Sequence, residues 1–277
     1  MPMIWNHMLF SEEVIDYTDR IVHYNLNENY LILGSQGDNL LEFIPFWSTK
    51  KLAHKQAPTD FVSNINDINL SELIKSTTYL NRNVNSYLIG YITYCFLETH
   101  LKNYIKYFTE LTETNERIIK TNLDTIIMKK YHNLNTMNTP ILKEFKFNLL
   151  LDPKINKTIE IVNPHLANNL QKAYLHTLIS LRWLFDPYGW KTKVFPSYMP
   201  LFGNKSHLIN EVDLLNEKHV IWDKFNNDSR SFIEVYNQAK IEAVEFLNDL
   251  INFWENDDIN NLNNVIERLQ NLNKKAN

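Results

Sequence analysis

The stretch FIEVYNQAKIEAVEFLNDLINFW, residues 232 to 254, decides the fold class. Phe232, Val235, Tyr236, Ala239, Ala243, Phe246, Leu247, Leu250 and Trp254 recur at spacings of three and four. Positions so spaced share one face of an α-helix, so the stretch is an amphipathic helix with an apolar stripe. After a turn at Asn256 to Asp258, the stripe resumes through Ile259, Leu262, Val265, Ile266, Leu269 and Leu272. Residues 232 to 277 are thus expected to form C-terminal helices. Working back, Tyr87, Tyr91, Tyr94, Glu98, Leu101 and Ile105 share a long helix that is apolar almost all round, which marks it as central. Ile119, Leu123, Ile126 and Ile127 predict another helix, and Leu170, Ala173, Tyr174, Thr177, Leu178, Leu181 and Leu184 a third. Asn69-Leu70-Ser71-Glu72 reads as a helix start, and Asp186-Pro187-Tyr188-Gly189 as a sharp stop. Strand-like alternation is rare, with Thr158 to Val162 the best candidate. The stretch 132 to 166, with prolines at 140, 153 and 164, is the least regular and predicts a loop-rich insertion. No internal repeat and no linker divides residues 1 to 277, so the expectation is one all-α, multi-helix domain.

Composition narrows the function classes. The 277 residues, 44% hydrophobic and 13% aromatic, can bury a sizeable core and lie well outside the disorder regime. Five glycines and nine prolines are too few for a sandwich built from many tight turns. Lys and Arg number 28 against 32 Asp and Glu, a net charge of -4, so there is no broad basic field and no nucleic-acid partner is expected. A single cysteine, Cys95, excludes an intramolecular disulfide framework and a Cys-rich zinc module; it reads as a small buried hydrophobe. MPMIWNHMLFSEEV carries neither the basic nor the apolar region of a secretory leader. No apolar run reaches the roughly 20 residues of a membrane span, so the expected location is the cytoplasm. The abundant asparagine of NLNEN, NRNVNS and INNLNNVIE follows compositional bias rather than a prion-like tract, because apolar periodicity runs through it.

Several blocks resemble the zinc-dependent phospholipase C family, in particular its unsecreted bacterial branch. The opening MPMIWNHMLFSEEV is similar to that branch's start, Leu33-Gly34-Ser35-Gln36-Gly37-Asp38-Asn39 to its Gly-x-Gln-Gly-Pro-Asp turn, and Phe43 to Trp47 to the aromatic stretch that follows. Gly90 to Tyr104 resembles the helix bearing a His-x-x-x-Asp metal motif. Asn115 to Met128 resembles the next ligand helix, best at Asp124-Thr125-Ile126, and Leu184 to Gly189 the Phe-His-Asp-Pro-Thr-Gly turn. A looser match lies near Trp222. The resemblance implies long antiparallel helices around a cleft that holds a zinc cluster, where metal-activated water attacks a phosphodiester.

In that register most ligand positions are substituted. His7 stands where the family has its first histidine. The turn's aspartate falls on Asn39, with Asp38 beside it, and a later histidine falls near Ala57, with His54 three places off. His-x-x-x-Asp becomes Tyr94-x-x-x-Glu98, a further ligand position falls on Lys102, and the next His-x-x-x-Glu pair becomes Glu116-x-x-x-Lys120. His100 lies about 200° around the helix from Glu98 and points elsewhere. Trp5 is internal, so its amine cannot serve as a terminal ligand. Glu98–Lys102 and Glu116–Lys120 are helix pairs with the acid first, the favourable order. A protonated lysine has no lone pair and repels Zn²⁺. The expectation is therefore a Glu/Lys network with Tyr94 and His7 in place of the metals. Its plain alternative is a pair of solvated helix salt bridges.

The expected function is accordingly that of a divergent phospholipase C-like protein with a degenerate metal site and weak or no hydrolysis. No cofactor is then expected, and a phosphate-bearing small molecule or lipid headgroup, or a protein, is the partner. One alternative is an active phosphodiester hydrolase whose reduced zinc site uses His7, Asp38, Glu98 and Glu116. The other is a helical interaction module, which requires an exposed apolar stripe on residues 232 to 272 and no formed cleft. No Gly-x-Ser-x-Gly elbow, phosphate loop or dinucleotide fingerprint occurs, and no second histidine stands in ligand spacing. The aromatic and basic residues of Trp183 to Tyr198 read as a loop packing its rings on the core.

Overall fold

The structure, a computed structural model, describes residues 3–18, 25–43, 81–113, 116–133, 140–146, 149, 151–162, 164–185, 222–256 and 258–276. Among them are eight α-helices and two 3-10 turns, with no strand. In chain order they are α1 (Ile4–Asp16), α2 (Glu28–Ser35), a 3-10 turn (Gly37–Phe43), α3 (Arg82–Thr112), α4 (Glu116–His132), a short 3-10 turn (Ile141–Lys143), α5 (Pro153–Val162), α6 (Pro164–Leu184), α7 (Trp222–Asn256) and α8 (Ile259–Ala276).

α3 is the axis of the fold, as its nearly continuous apolar sequence requires. The Asn81 side chain caps its start by accepting from the Asn83 and Val84 backbone N–H groups at 3.1 and 3.3 Å. Every residue from Val84 to Leu97 is buried. α2 crosses α3 at two glycines. A Cβ on Gly34 would stand 2.1 Å from the Tyr87 carbonyl oxygen, and one on Gly90 2.2 Å from that of Leu31. Hydrogen at those positions lets the two backbones touch.

α7 runs antiparallel along α3. Phe96 meets Phe246 with ring centroids 5.3 Å apart, and further along Tyr104 meets Phe232 at 5.8 Å. The stripe read from residues 232 to 254 is this contact: Phe232, Tyr236, Ala239, Ala243, Phe246, Leu247 and Leu250 are all fully buried. α8 returns along α7, burying Leu262, Val265, Leu269 and Leu272, and Arg268 reaches Asp249 and Glu245 at 2.8 and 2.7 Å. Most of the stripe on residues 232 to 272 is therefore packed inward, while Ile259 at the start of α8 is exposed. α1 lies against both α3 and α7, with Phe10 edge-on to Tyr236 and Glu13 paired with Lys240 at 2.8 Å.

Two sequence expectations are corrected. Thr158 to Val162 is helical, the end of α5. Asp152 caps that helix by accepting from Lys154 N–H at 2.9 Å, Pro153 supplies a first position that needs no donor, and Ile155 and Ile159 are buried one turn apart. The deciding spacing is four, and the local alternation is incidental. The described residues of the stretch 132 to 166 are also more regular than its prolines suggest. Pro140 precedes a 3-10 turn, while Pro153 and Pro164 each open a helix. Proline is tolerated at helix starts, so these three residues initiate structure. The helix start read at Asn69 to Glu72 and the stop at Asp186 to Gly189 lie outside the described residues, as does nearly all of Trp183 to Tyr198. No helix among the described residues is long and apolar enough to cross a membrane.

Candidate functional site

Three helices and one turn deliver polar side chains to a common place against the α3 axis. α1 brings His7, α3 brings Tyr94 and Glu98, α4 brings Glu116 and Lys120, and the Gly37–Phe43 turn brings Asp38 and Glu42. The turn depends on Gly37. Its φ of +47° lies in the left-handed region, and a Cβ there would sit 2.2 Å from the Tyr94 ring. Glycine thus lets the turn press on Tyr94, and Asp38 and Asn39 follow it into the interior, both buried.

Glu98 is the hub. His7 Nε2 lies 2.9 Å from Glu98 Oε1, and Lys120 Nζ lies 4.0 Å from Oε2. Lys120 Nζ also stands 3.0 Å from Glu116 Oε1, one helical turn away. The Glu116 contact is a hydrogen-bonded ion pair, whereas 4.0 Å to Glu98 is an attraction between charges without a hydrogen bond. Burial and charge oppose one another here. Burial alone would push the Glu98 carboxyl up, but Lys120 first and His7 second pull it down to about 2. Burial would likewise lower Lys120, yet Glu98, Glu42 and Glu116 hold it above the usual lysine range. Both groups are therefore charged at neutral pH.

A carboxylate can only accept, so His7 donates to Glu98 through Nε2–H. His7 is completely buried, and Nδ1 has no hydrogen-bond partner. Its ring lies against Tyr94 with centroids 4.9 Å apart, and Tyr94, Tyr91 and Tyr87 follow one another down α3 at about 6 Å spacing. Burial, then the charge of Asp38, keeps the Tyr87 and Tyr91 hydroxyls well above the ordinary phenol range. At Tyr94 burial is followed by Glu98 and then Asp38. These tyrosines are neutral hydroxyls at physiological pH and not oxyanions.

The structure thus brings together His7, Tyr94, Glu98, Glu116 and Lys120, with Asp38 close enough to act on the Tyr94 hydroxyl. Lys102 lies half-buried one turn beyond Glu98, and the Asn39 amide nitrogen is buried without a partner. His100 does face away from Glu98. Its Nδ1 lies 2.8 Å from the Phe96 carbonyl, and its Nε2 lies 3.1 Å from Glu242 on α7. His54 lies outside the described residues. Among the described residues no group of three or more histidine, cysteine, aspartate or glutamate side chains is arranged to hold a metal ion. The donor chemistry explains this: an ammonium occupies the space between the Glu98 and Glu116 carboxylates. A zinc cluster does not fit these residues as they stand.

Asp124, which the motif match included without giving it a role, is the functional residue that sequence reasoning missed. It is buried on α4, one turn beyond Lys120, and accepts from the backbone N–H groups of Asn6 and Trp5 at 2.9 and 3.3 Å. Burial pushes its carboxyl up to about 7, against the pull of those N–H groups. A sequence signal existed at the other end of this contact. Met3, the residue before α1, has no side chain able to cap it, and no acid follows in the first turn. A buried helix start must find its acceptors elsewhere. No protein-family model, no curated protein and no solved structure matches this chain.

Proposed function

We propose that the chain is a divergent relative of the zinc-dependent phospholipase C family in which a fixed internal cation replaces the metal. In this reading it is a binding protein with weak or no hydrolytic activity. The observation that carries the reading is the place of Lys120: buried, fully charged, 3.0 Å from Glu116 and 4.0 Å from Glu98, whose other oxygen is held by His7. An ammonium so placed balances the charge of the largely buried Glu98 carboxylate and also pairs with Glu116, whose side chain is exposed, and it repels a divalent ion from the same space.

The charges also bear on what binds. Glu42, Glu98 and Glu116 act on Lys120, and Asp38 acts on the neighbouring Tyr94, so the cluster has more acid than base. That balance disfavours a phosphate at the cluster itself, and Lys120 acts as a counter-ion more than as a phosphate donor. A phosphate-bearing ligand or a protein partner would have to engage other surfaces. The second reading, a hydrolase with a reduced metal site, is favoured by one observation, the buried His7 Nδ1 that has no hydrogen-bond partner.

Hydrolysis of a chromogenic phosphodiester, with and without added Zn²⁺, separates the two. The expected result is no turnover above buffer in either condition. Zinc-stimulated turnover that disappears in His7→Ala would replace this reading with the hydrolase.

A further inference from the structure

We infer that Asp124 is a positioning residue for His7: by capping α1 from α4, it sets the depth and rotation of the helix that delivers the imidazole to Glu98. α1 is buried from its first turn, with Ile4 through Ser11 all shielded from solvent. The first N–H groups of a helix have no partner within it and are normally satisfied by a Ser, Thr, Asp or Asn at the N-cap, which accepts from the second and third helical residues. Here the N-cap is Met3, which makes no side-chain cap, and the first turn has no acid.

Trp5 and Asn6 are those second and third residues. Asp124 Oδ2 accepts from Trp5 N–H at 3.3 Å and Oδ1 from Asn6 N–H at 2.9 Å, across 119 and 118 residues of sequence. One carboxylate from another helix thus does what a local cap would do, with both oxygens engaged. Two bonds to adjacent backbone N–H groups fix both the axial position and the rotation of α1, because sliding or turning the helix would break at least one. His7 is the next residue after Asn6, and its Nε2 must reach Glu98 Oε1 at 2.9 Å. Asp124 also lies one turn from Lys120 on the same helix. α4 therefore sets the two partners of Glu98 together, Lys120 directly and His7 through the cap. This inference does not depend on what the cluster binds.

The test uses the intact protein without ligand and follows histidine ring nitrogens and their protons by NMR, with His7 assigned by its absence in His7→Ala. His100, held by the Phe96 carbonyl and Glu242, and His176 on α6 are internal references. Asp124→Asn keeps the shape but leaves one oxygen for two N–H groups; Asp124→Glu keeps both oxygens on a longer arm. At a pH where the carboxylate is ionised, Asp124→Asn is expected to speed exchange of the His7 Nε2–H about tenfold, the order expected for loss of one charge-assisted hydrogen bond. The His7 ring shifts should move while His100 and His176 stay in place, and Asp124→Glu should move His7 less than Asp124→Asn. A His7 signature unchanged in Asp124→Asn overturns the inference. So does equal movement of all three histidines, or a larger effect from Asp124→Glu.

Discussion

Replacing Lys120 by methionine removes the ammonium while keeping most of the volume of its apolar stem. Glu98 would then be left with His7 as its only close partner in the cluster. The size of the effect follows from the carboxyl itself. Glu98 goes from about 4.5 in the unfolded chain to about 2 in the fold, and each pH unit of such a difference is worth ~1.4 kcal/mol, so its charged interactions contribute ~3 kcal/mol at neutral pH. Lys120 is the largest favourable contributor to that shift, so Lys120→Met is expected to cost ~2–3 kcal/mol, in line with the ~3–5 kcal/mol typical of orphaning one member of a buried pair. The favourable shift of Lys120 describes the same attraction from the other side and is not added. The sign is fixed by the lowered carboxyl. Wild-type stability from this source is present above about 4.5 and lost as pH falls through about 2. Urea unfolding followed by tryptophan fluorescence, at pH 7 and again near pH 3, measures both quantities. The variant should be less stable at pH 7 and should lose less on acidification than the wild type. A cost under ~0.5 kcal/mol at pH 7, with an unchanged pH profile, would mean that Lys120 forms an ordinary solvated pair and that the charge argument is wrong.

Three further outcomes follow from the geometry. Asp124 has its carboxyl raised to about 7 by burial, so its contribution is fully present below about 3.8 and is lost as pH rises through about 7; the difference is ~4 kcal/mol, and Asp124→Asn should flatten this part of the stability profile measured by urea unfolding. Gly37→Ala places a Cβ against the Tyr94 ring on backbone of positive φ, so a loss of ~2 kcal/mol or more is expected in thermal or urea unfolding. Phe246→Ala empties a fully buried position opposite Phe96 and should cost ~3–5 kcal/mol by the same measurement, whereas Ile241→Ala, at an exposed position on the same helix, should cost less than ~0.5 kcal/mol.

The helical skeleton was legible because its signal is periodic and strong. The apolar spacings of residues 232 to 254, 259 to 272 and 87 to 105 became α7, α8 and α3, since burying such a stripe is the dominant reason that a helix stays in a fold. The loop-rich reading of 132 to 166 treated proline as punctuation in general, which the described part of the stretch does not follow. Pro153 and Pro164 open helices because a first-turn residue needs no N–H donor, and the cap that reveals this is Asp152 at the preceding position. In the site, spacing within one helix gave Glu116–Lys120 correctly, as any i,i+4 pair would be given. The links between helices were harder. Glu98 with Lys102 was the pair visible in sequence, yet the contacts found at Glu98 run to His7 on α1 and Lys120 on α4. Those depend on how helices cross, which one-dimensional spacing does not encode. Asp124 shows the same limit most clearly: its partners are backbone groups, and these have no signature in sequence beyond the missing cap at Met3.

The central claim is that an internal ammonium stands where a divalent ion would have to sit. Elemental analysis of the protein purified without chelator measures this directly. The account predicts zinc far below one ion per chain, with no uptake on dialysis against Zn²⁺, whereas stoichiometric zinc that is lost in His7→Ala would contradict it.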